Sequence, residues 1–266
     1  VMNVDFTIKA YKELLVAVKR QGFSFQTVEL FMSQLLEKVV VLRHDVDRLP
    51  GNSLRMARLE QELGVVATYY FRSVPESWNE GIIQEIAGLG HEVGYHYESL
   101  TTCKGNLEQA FNDFKLNLER LRKLVPVSTI CMHGSPRSAW DSKDLWKIYG
   151  YESLGIAGEP YLDTDFDEVF YLTDTGRRWD GWKVSVRDKM RQQKEWVEQG
   201  LVFHSTWEII RAAKHGKLPD RIMMTVHPQR WTDDPVAWGK ELILQNTKNV
   251  VKRLVLKNRT KGTKSD

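Results

Sequence analysis

A chain of 266 residues that is 42% hydrophobic, 27% charged and 11% aromatic can bury a sizeable core, and no stretch approaches the roughly 18 uninterrupted apolar residues of a membrane span. Net charge is only +3, and residues 252–266 hold six Lys or Arg against one Asp, so the remainder is slightly acidic and offers no nucleic-acid-binding surface. Two cysteines, Cys103 and Cys131, form no metal or redox motif, and the opening segment lacks the basic start and apolar run of a signal peptide, so a reducing, cytoplasmic setting is expected.

Residues 1–38 are expected to form an N-terminal helical extension. Val39–Leu42 is a β-branched run that reads as a buried strand and ends in Arg43-His44-Asp45-Val46-Asp47. Helical spacing follows over Leu54–Leu63, stopped by Gly64, and then a second strand over Val65–Phe71. Gly81–Leu89 reads as a helix and His91–His96 as a third strand. Leu107, Ala110, Phe111, Phe114, Leu118 and Leu121 recur every three or four residues, the mark of an amphipathic helix. Val127–Met132 is the next strand, Lys143–Tyr149 a short helix, and Glu168–Leu172 and Arg221–Val226 two further strands. A helix over Pro235–Leu256 closes the pattern. Strand–helix alternation over most of the length argues for parallel strands joined by crossovers, in a barrel or a doubly wound sheet. No Gly-x-Gly-x-x-Gly follows the first strand and no phosphate-binding loop motif occurs, which favours a single barrel-like domain over a nucleotide-binding sheet.

Reactive side chains gather at the carboxyl ends of the predicted strands, where barrels and open α/β sheets build their sites. Asp45 and Asp47 are two apart, so on an extended strand both carboxylates share a face, as does Arg43. Such like charges repel unless a cation or proton intervenes, and a divalent ion on one carboxylate would leave the other as a base. The third strand delivers His96 to the same mouth; imidazole and carboxylate together are ordinary ligands for zinc and similar ions. The fourth ends in Cys131-Met132-His133-Gly134-Ser135-Pro136, and the last in Thr225-Val226-His227-Pro228-Gln229-Arg230-Trp231. His91, at the opposite end of its strand, reads as structural, as does His204, and His215 as a surface residue. Asp174-Thr175-Gly176 occurs once, whereas aspartic-protease chemistry needs two Asp sharing a proton.

The ordered runs RHDVD, GHEVGYH, MHGSP and TVHP resemble the motifs of the NodB-homology polysaccharide deacetylases over roughly residues 39–231, and look closest to a divergent branch associated with cell-surface glycan biosynthesis. The resemblance implies a distorted (β/α) barrel, here over residues 39–257; the composition of residues 258–266 predicts a basic, disordered tail after it. It implies an enzyme that removes an N-acyl group, acetyl or formyl, from a sugar in cell-surface polysaccharide or O-antigen biosynthesis. It also implies one divalent metal ion, with zinc favoured over cobalt, nickel or manganese. Carried over residue by residue, Asp45 is the catalytic base, and Asp47 and His96 are metal ligands. Where the family has a second His, this chain has Leu100, which cannot bind metal; Glu98 and His133 are the candidates for the third ligand. No Arg matches the family's third motif, so Arg43 is expected to orient the base. His227 is the candidate general acid and Asp174 its orienting partner. Arg43, Arg178, Trp179, Arg230 and Trp231 form the expected carbohydrate-binding set.

Two rival readings remain. An Asp-x-Asp phosphatase is disfavoured because Asp47 is followed by Arg48-Leu49-Pro50 rather than by Gly-Thr. A catalytically inactive, glycan-binding barrel of the same fold is suggested by Leu100.

Overall fold

The computed structural model describes residues 4–135, 138–183 and 190–262; Pro136 of the fourth strand-end run and residues 263–266 of the basic tail lie outside them. In chain order the elements are α1 (Ile8–Arg20), β1 (Ser24–Gln26), α2 (Val28–Ser33), β2 (Val39–Val46), α3 (Pro50–Glu62) and β3 (Thr68–Phe71). Next come α4 (Glu80–Gly88), β4 (Glu92–Tyr97), α5 (Ser99–Thr102), α6 (Leu107–Arg122) and β5 (Ile130–Met132). The remainder holds α7 (Pro160–Asp163), β6 (Phe170–Thr173), α8 (Gln193–Glu198), α9 (Thr206–Lys214), β7 (Arg221–Val226) and α10 (Pro235–Gly262). They belong to two compact units, one of residues 22–171 and 219–229, the other of residues 1–21, 172–218 and 230–266.

The first unit is built on a sheet in which β5, β4, β3, β2 and β7 follow one another in that order, with β1 joined to β2 off this path. Every registered pair is parallel. Parallel strands separated by helices form an open α/β sheet, the arrangement expected of a distorted (β/α) barrel. All eight residues of β2 are buried, which accounts for its continuous apolar start in place of in-out alternation. Its early residues pair with β1 (Ser24↔Val39), its late ones with β3 (Asp45↔Tyr70), and β7 runs beside it from Val39 to His44. The expected helical extension therefore needs correcting: residues 24–26 form a strand of this sheet, a segment too short for periodicity to reveal. Helix α3 starts at Pro50, whose fixed φ suits a first helical turn, and it follows Leu49 held at φ 54°. Helix α6 buries Ala110, Phe114, Leu118 and Leu121, as its spacing predicts, while Phe111 stacks on Tyr149 with ring centroids 4.0 Å apart. The expected helix over 143–149 is a 3-10 turn at Ser142–Lys147, and the strands expected from Val65 and Val127 begin only at Thr68 and Ile130.

One glycine matters for the site. A Cβ on Gly94 would stand 2.3 Å from a ring carbon of Tyr70 and 2.9 Å from the backbone oxygen of Thr129. Its absence lets the Tyr70 ring lie across β4 and hydrogen-bond Thr129 Oγ1 at 2.8 Å. On the other face of β2, His44 Nε2 meets Glu60 Oε1 of α3 at 2.7 Å, and Tyr69 OH donates to Glu60 Oε2 at 2.8 Å. His91 completes this buried knot, with Nδ1 accepting from Ala67 N at 3.2 Å and Nε2 donating to Ala57 O at 2.9 Å.

In the second unit α1 packs on α9. The Trp231 ring is fully buried against Phe6, Tyr11 and Trp179, at centroid distances of 4.9, 5.4 and 6.2 Å. Helix α10 runs to Gly262, so the tail expected to be disordered is helical as far as that residue. Its inner side is polar: Glu241, Gln245 and Asn249 are buried, and Asn249 Nδ2 donates to Gly176 O at 2.9 Å. Helices α8 and α9 lie where the sequence predicts no element, although α9 buries Thr206, Ile209, Ile210 and Ala213 at helical spacing.

Candidate active site

Arg43, Asp45 and Asp47 lie at the carboxyl end of β2, His96 at that of β4, His133 after β5 and His227 after β7, all within the first unit. Strand alternation turns Arg43 and Asp45 to one face, and the guanidinium grips the carboxylate as a fork, Nε to Oδ1 at 3.0 Å and Nη2 to Oδ2 at 2.9 Å. Burial alone would raise the Asp45 carboxyl, but Arg43, His96 and His227 outweigh it and hold it below its usual range. Arg43 is itself steadied by Tyr161, whose OH accepts from Nη2 at 2.9 Å and whose ring lies 4.6 Å from the guanidinium carbon. The fully buried guanidinium thus positions Asp45, and its expected contact with a sugar is corrected to that role.

His96 donates from Nδ1 to Cys131 O at 2.9 Å, because a carbonyl can only accept. Burial lowers its pKa to about 4, so the ring is neutral near pH 7 and Nε2 offers a lone pair. That nitrogen is 3.7 Å from Asp47 Oδ1 and 3.8 Å from Asp45 Oδ2. His133 arrives from the next strand with Nε2 3.5 Å from the same Asp47 Oδ1. Its Nδ1 is 2.8 Å from Glu98 Oε2. Burial pushes the Glu98 carboxyl up, but His133 and Arg72 overcome it and hold it at about 2, so Glu98 is an ionised acceptor. Arg72 donates to Glu98 Oε1 from Nε and Nη2 at 2.9 and 2.6 Å, and from Nη1 to Asp47 O at 3.2 Å. Gln229 Nε2 holds Asp47 Oδ2 at 2.9 Å.

Taken in pairs the donors suit a divalent ion: one carboxylate oxygen faces two imidazole Nε2 atoms at 3.5 and 3.7 Å, near the ~3.3 Å between ligands implied by ~2.0–2.1 Å bonds in tetrahedral geometry, whereas the two imidazole nitrogens stand farther apart than 4.8 Å and would have to approach for both to bind one ion. Each imidazole is fixed by a hydrogen bond from its other nitrogen, the usual support of a metal-binding His. Of the two candidates for a third ligand, His133 faces Asp47. Glu98 is corrected to its holder, since its oxygens go to His133 and Arg72. Leu100 is buried in α5. Asp45, His96 and Cys131 form an alternative group with donor atoms within 4.8 Å of one another. It is the poorer site, because the buried Arg43 charge in direct contact with Asp45 would repel a cation there.

Several expected sugar contacts are corrected in the second unit. Trp179 and Trp231 are buried; their N–H groups donate to Thr206 Oγ1 at 2.9 Å and to Asp174 Oδ2 at 2.8 Å, so neither ring is presented for stacking. Arg230 is buried too, and its Nη1 donates to Asp174 Oδ1 at 2.5 Å. Asp174 thus joins its own unit together. Arg178 is partly exposed and pairs with Asp180, to which His204 also turns Nδ1 at 3.2 Å. His215 caps α9 from the surface, Nδ1 to Arg211 O at 2.7 Å. Sequence reasoning missed Arg72, Gln229 and Tyr161. The first two had a signal, since Arg72 directly follows an expected strand and Gln229 lies inside a strand-end run. Tyr161 had none.

No family model matches the sequence, and no curated relative is found. Among solved structures, a family 4 carbohydrate esterase of Bacillus subtilis is similar at 13% identity and a TM-score of 0.42, covering 89% of this chain and 84% of that one. The catalytic domain of a peptidoglycan N-acetylglucosamine deacetylase from Eubacterium rectale is similar at 15% identity and a TM-score of 0.43, over 81% and 87%. A family 4 pseudoenzyme of Bacillus anthracis is similar at 14% identity and 0.41, over 82% of this chain and 63% of that one.

Proposed function

We propose that this chain is a metal-dependent deacylase of the polysaccharide deacetylase type, which removes an N-acetyl or N-formyl group from a sugar of a cell-surface glycan. The observation that carries the reading is the convergence of Asp47, His96 and His133 beside an Asp45 that is clamped by Arg43. Asp47, His96 and His133 would hold one divalent ion, zinc by their donor chemistry, which when bound polarises an acyl carbonyl and acidifies a water.

The remaining work falls to side chains. Arg43 uses one lone pair on each Asp45 oxygen and leaves others free to accept a proton from water, so the clamp sets the direction of the base without occupying it. The ionised state of Asp45 keeps that base available across neutral pH. His227, buried but not sealed, gives a proton to the departing amine nitrogen, which leaves poorly as an anion. Arg72 and Glu98 hold His133 in the tautomer with Nε2 open, and Gln229 turns Asp47 so that Oδ1 faces the imidazoles.

The deciding experiment is acetate or formate release from N-acylated amino-sugar oligosaccharides, measured with the metal-stripped protein and after adding back Zn, Co, Ni or Mn. Metal-dependent release that Asp45→Asn abolishes supports the reading. Stoichiometric metal binding with no release from any acylated sugar would make the chain a binding protein instead.

A further inference from the structure

Helix α10 is inverted for a helix that only closes a core. Its inward residues Glu241, Gln245 and Asn249 are polar, whereas Val236, Ile243, Leu244 and Val250 are 64%, 70%, 40% and 56% exposed. Val236, Ile243 and Val250 are seven apart and so fall on one stripe of the helix, with Leu244 alongside. Lys240 and Lys248 are exposed on the same helix, and residues 252–264 add six Lys or Arg with no Asp or Glu.

A second copy of the chain fits this face poorly. Pairing two such helices would need apolar residues at the alternate seam positions, which are Lys240 and Thr247. A surface that is apolar beneath and anionic on top satisfies both features at once. We propose that α10 is an interfacial anchor, which lays the Val236–Ile243–Val250 stripe into an anionic lipid surface while the helix's lysines and arginines neutralise headgroup phosphates. Among the described residues no helix is long and apolar enough to cross a membrane, so the helix lies in the plane of the interface. The inference stands apart from the deacylase reading, because it uses none of the site's residues.

The test is flotation of the full chain with vesicles of phosphatidylcholine alone and of phosphatidylcholine with phosphatidylglycerol. Recovery with the anionic vesicles should be at least about tenfold higher and should fall as salt is raised. Ile243→Ser with Val250→Ser, and separately Lys252→Gln with Arg253→Gln and Lys257→Gln, should each lower recovery about tenfold without changing the circular dichroism spectrum. The stripe variant alters exposed side chains, so the fold survives it. Equal recovery with neutral vesicles, no recovery, or recovery that only the charge variant lowers would overturn the anchor. A dimer in light scattering that the stripe variant dissociates would overturn it too, in favour of a second copy.

Discussion

His133 turns Nε2 to within 3.5 Å of Asp47 Oδ1 while its Nδ1 is tied to Glu98 at 2.8 Å. One ring nitrogen is thereby committed to a ligand position and the other to its support. Removing the ligand and removing the support should then have different consequences. Asp47→Ala, His96→Ala or His133→Ala should abolish stoichiometric binding of a divalent ion, read by elemental analysis after dialysis. Glu98→Gln should leave the ion bound but weaken it by about 10–100-fold. Complete loss in Glu98→Gln with retention in His133→Ala would reverse the two assignments.

Asp45→Asn keeps the shape and removes the proton acceptor. Acyl release should fall by about 10²–10⁴ with metal content unchanged. Arg43→Met is a different lesion, since it leaves Asp45 buried and unpaired. It should destabilise the fold by about 3–5 kcal/mol, measured by denaturant unfolding, as well as lower activity.

His227→Ala should damage amide hydrolysis far more than hydrolysis of a nitrophenyl acetate, whose leaving group needs little protonation. The quantity to compare is the loss in kcat/KM for the two substrates. Equal losses would remove His227 from the proton-transfer step.

Gly94→Ala drives a methyl into the Tyr70 ring and the Thr129 carbonyl. It should cost about 1–3 kcal/mol in stability and weaken metal binding, because β4 carries His96 two residues later. Tyr70→Val in the same chain should recover part of both losses, a coupling that independent sites would not show.

Glu159, which is not one of the proposed metal ligands, supplies a pH test. Its carboxylate accepts from Met132 N at 2.9 Å and from Tyr161 N and Leu162 N at 2.6 and 3.1 Å, yet burial raises its pKa to about 7. A carboxyl raised from 4.5 binds more protons folded than unfolded in between, so its contribution to stability is full below about 4.5 and is lost as pH rises through about 7. Glu159→Gln should flatten the stability profile over that window. An unchanged difference between variant and parent from pH 4.5 to 7 would show that Glu159 stays ionised throughout.

Much of the site was readable because β2 and β4 are regular up to their ends: two-residue spacing puts Arg43 and Asp45 on one face and delivers His96 to the same mouth. The choice between Glu98 and His133 was not readable. β4 ends at Tyr97, and Glu98 has the backbone of a helix cap, φ −142° and ψ 23°, so alternation no longer says where its side chain points. The tryptophans misled for another reason. Trp179 and Trp231 stand among charged residues in the sequence, and only the packing of Phe6 and Tyr11, far away along the chain, shows that they are core. The strand β1 escaped because three residues carry no period.

Since β2 is buried on both faces, water cannot police its register as it does for a half-exposed strand. Polarity does so instead. Sliding β2 by a single residue would bring Asp45 against Glu60, carboxylate on carboxylate in a dry interior, and would turn His44 toward the chemistry. The knot behind the sheet thus acts as a ruler for the site in front of it, and activity is vulnerable from a side no substrate ever touches.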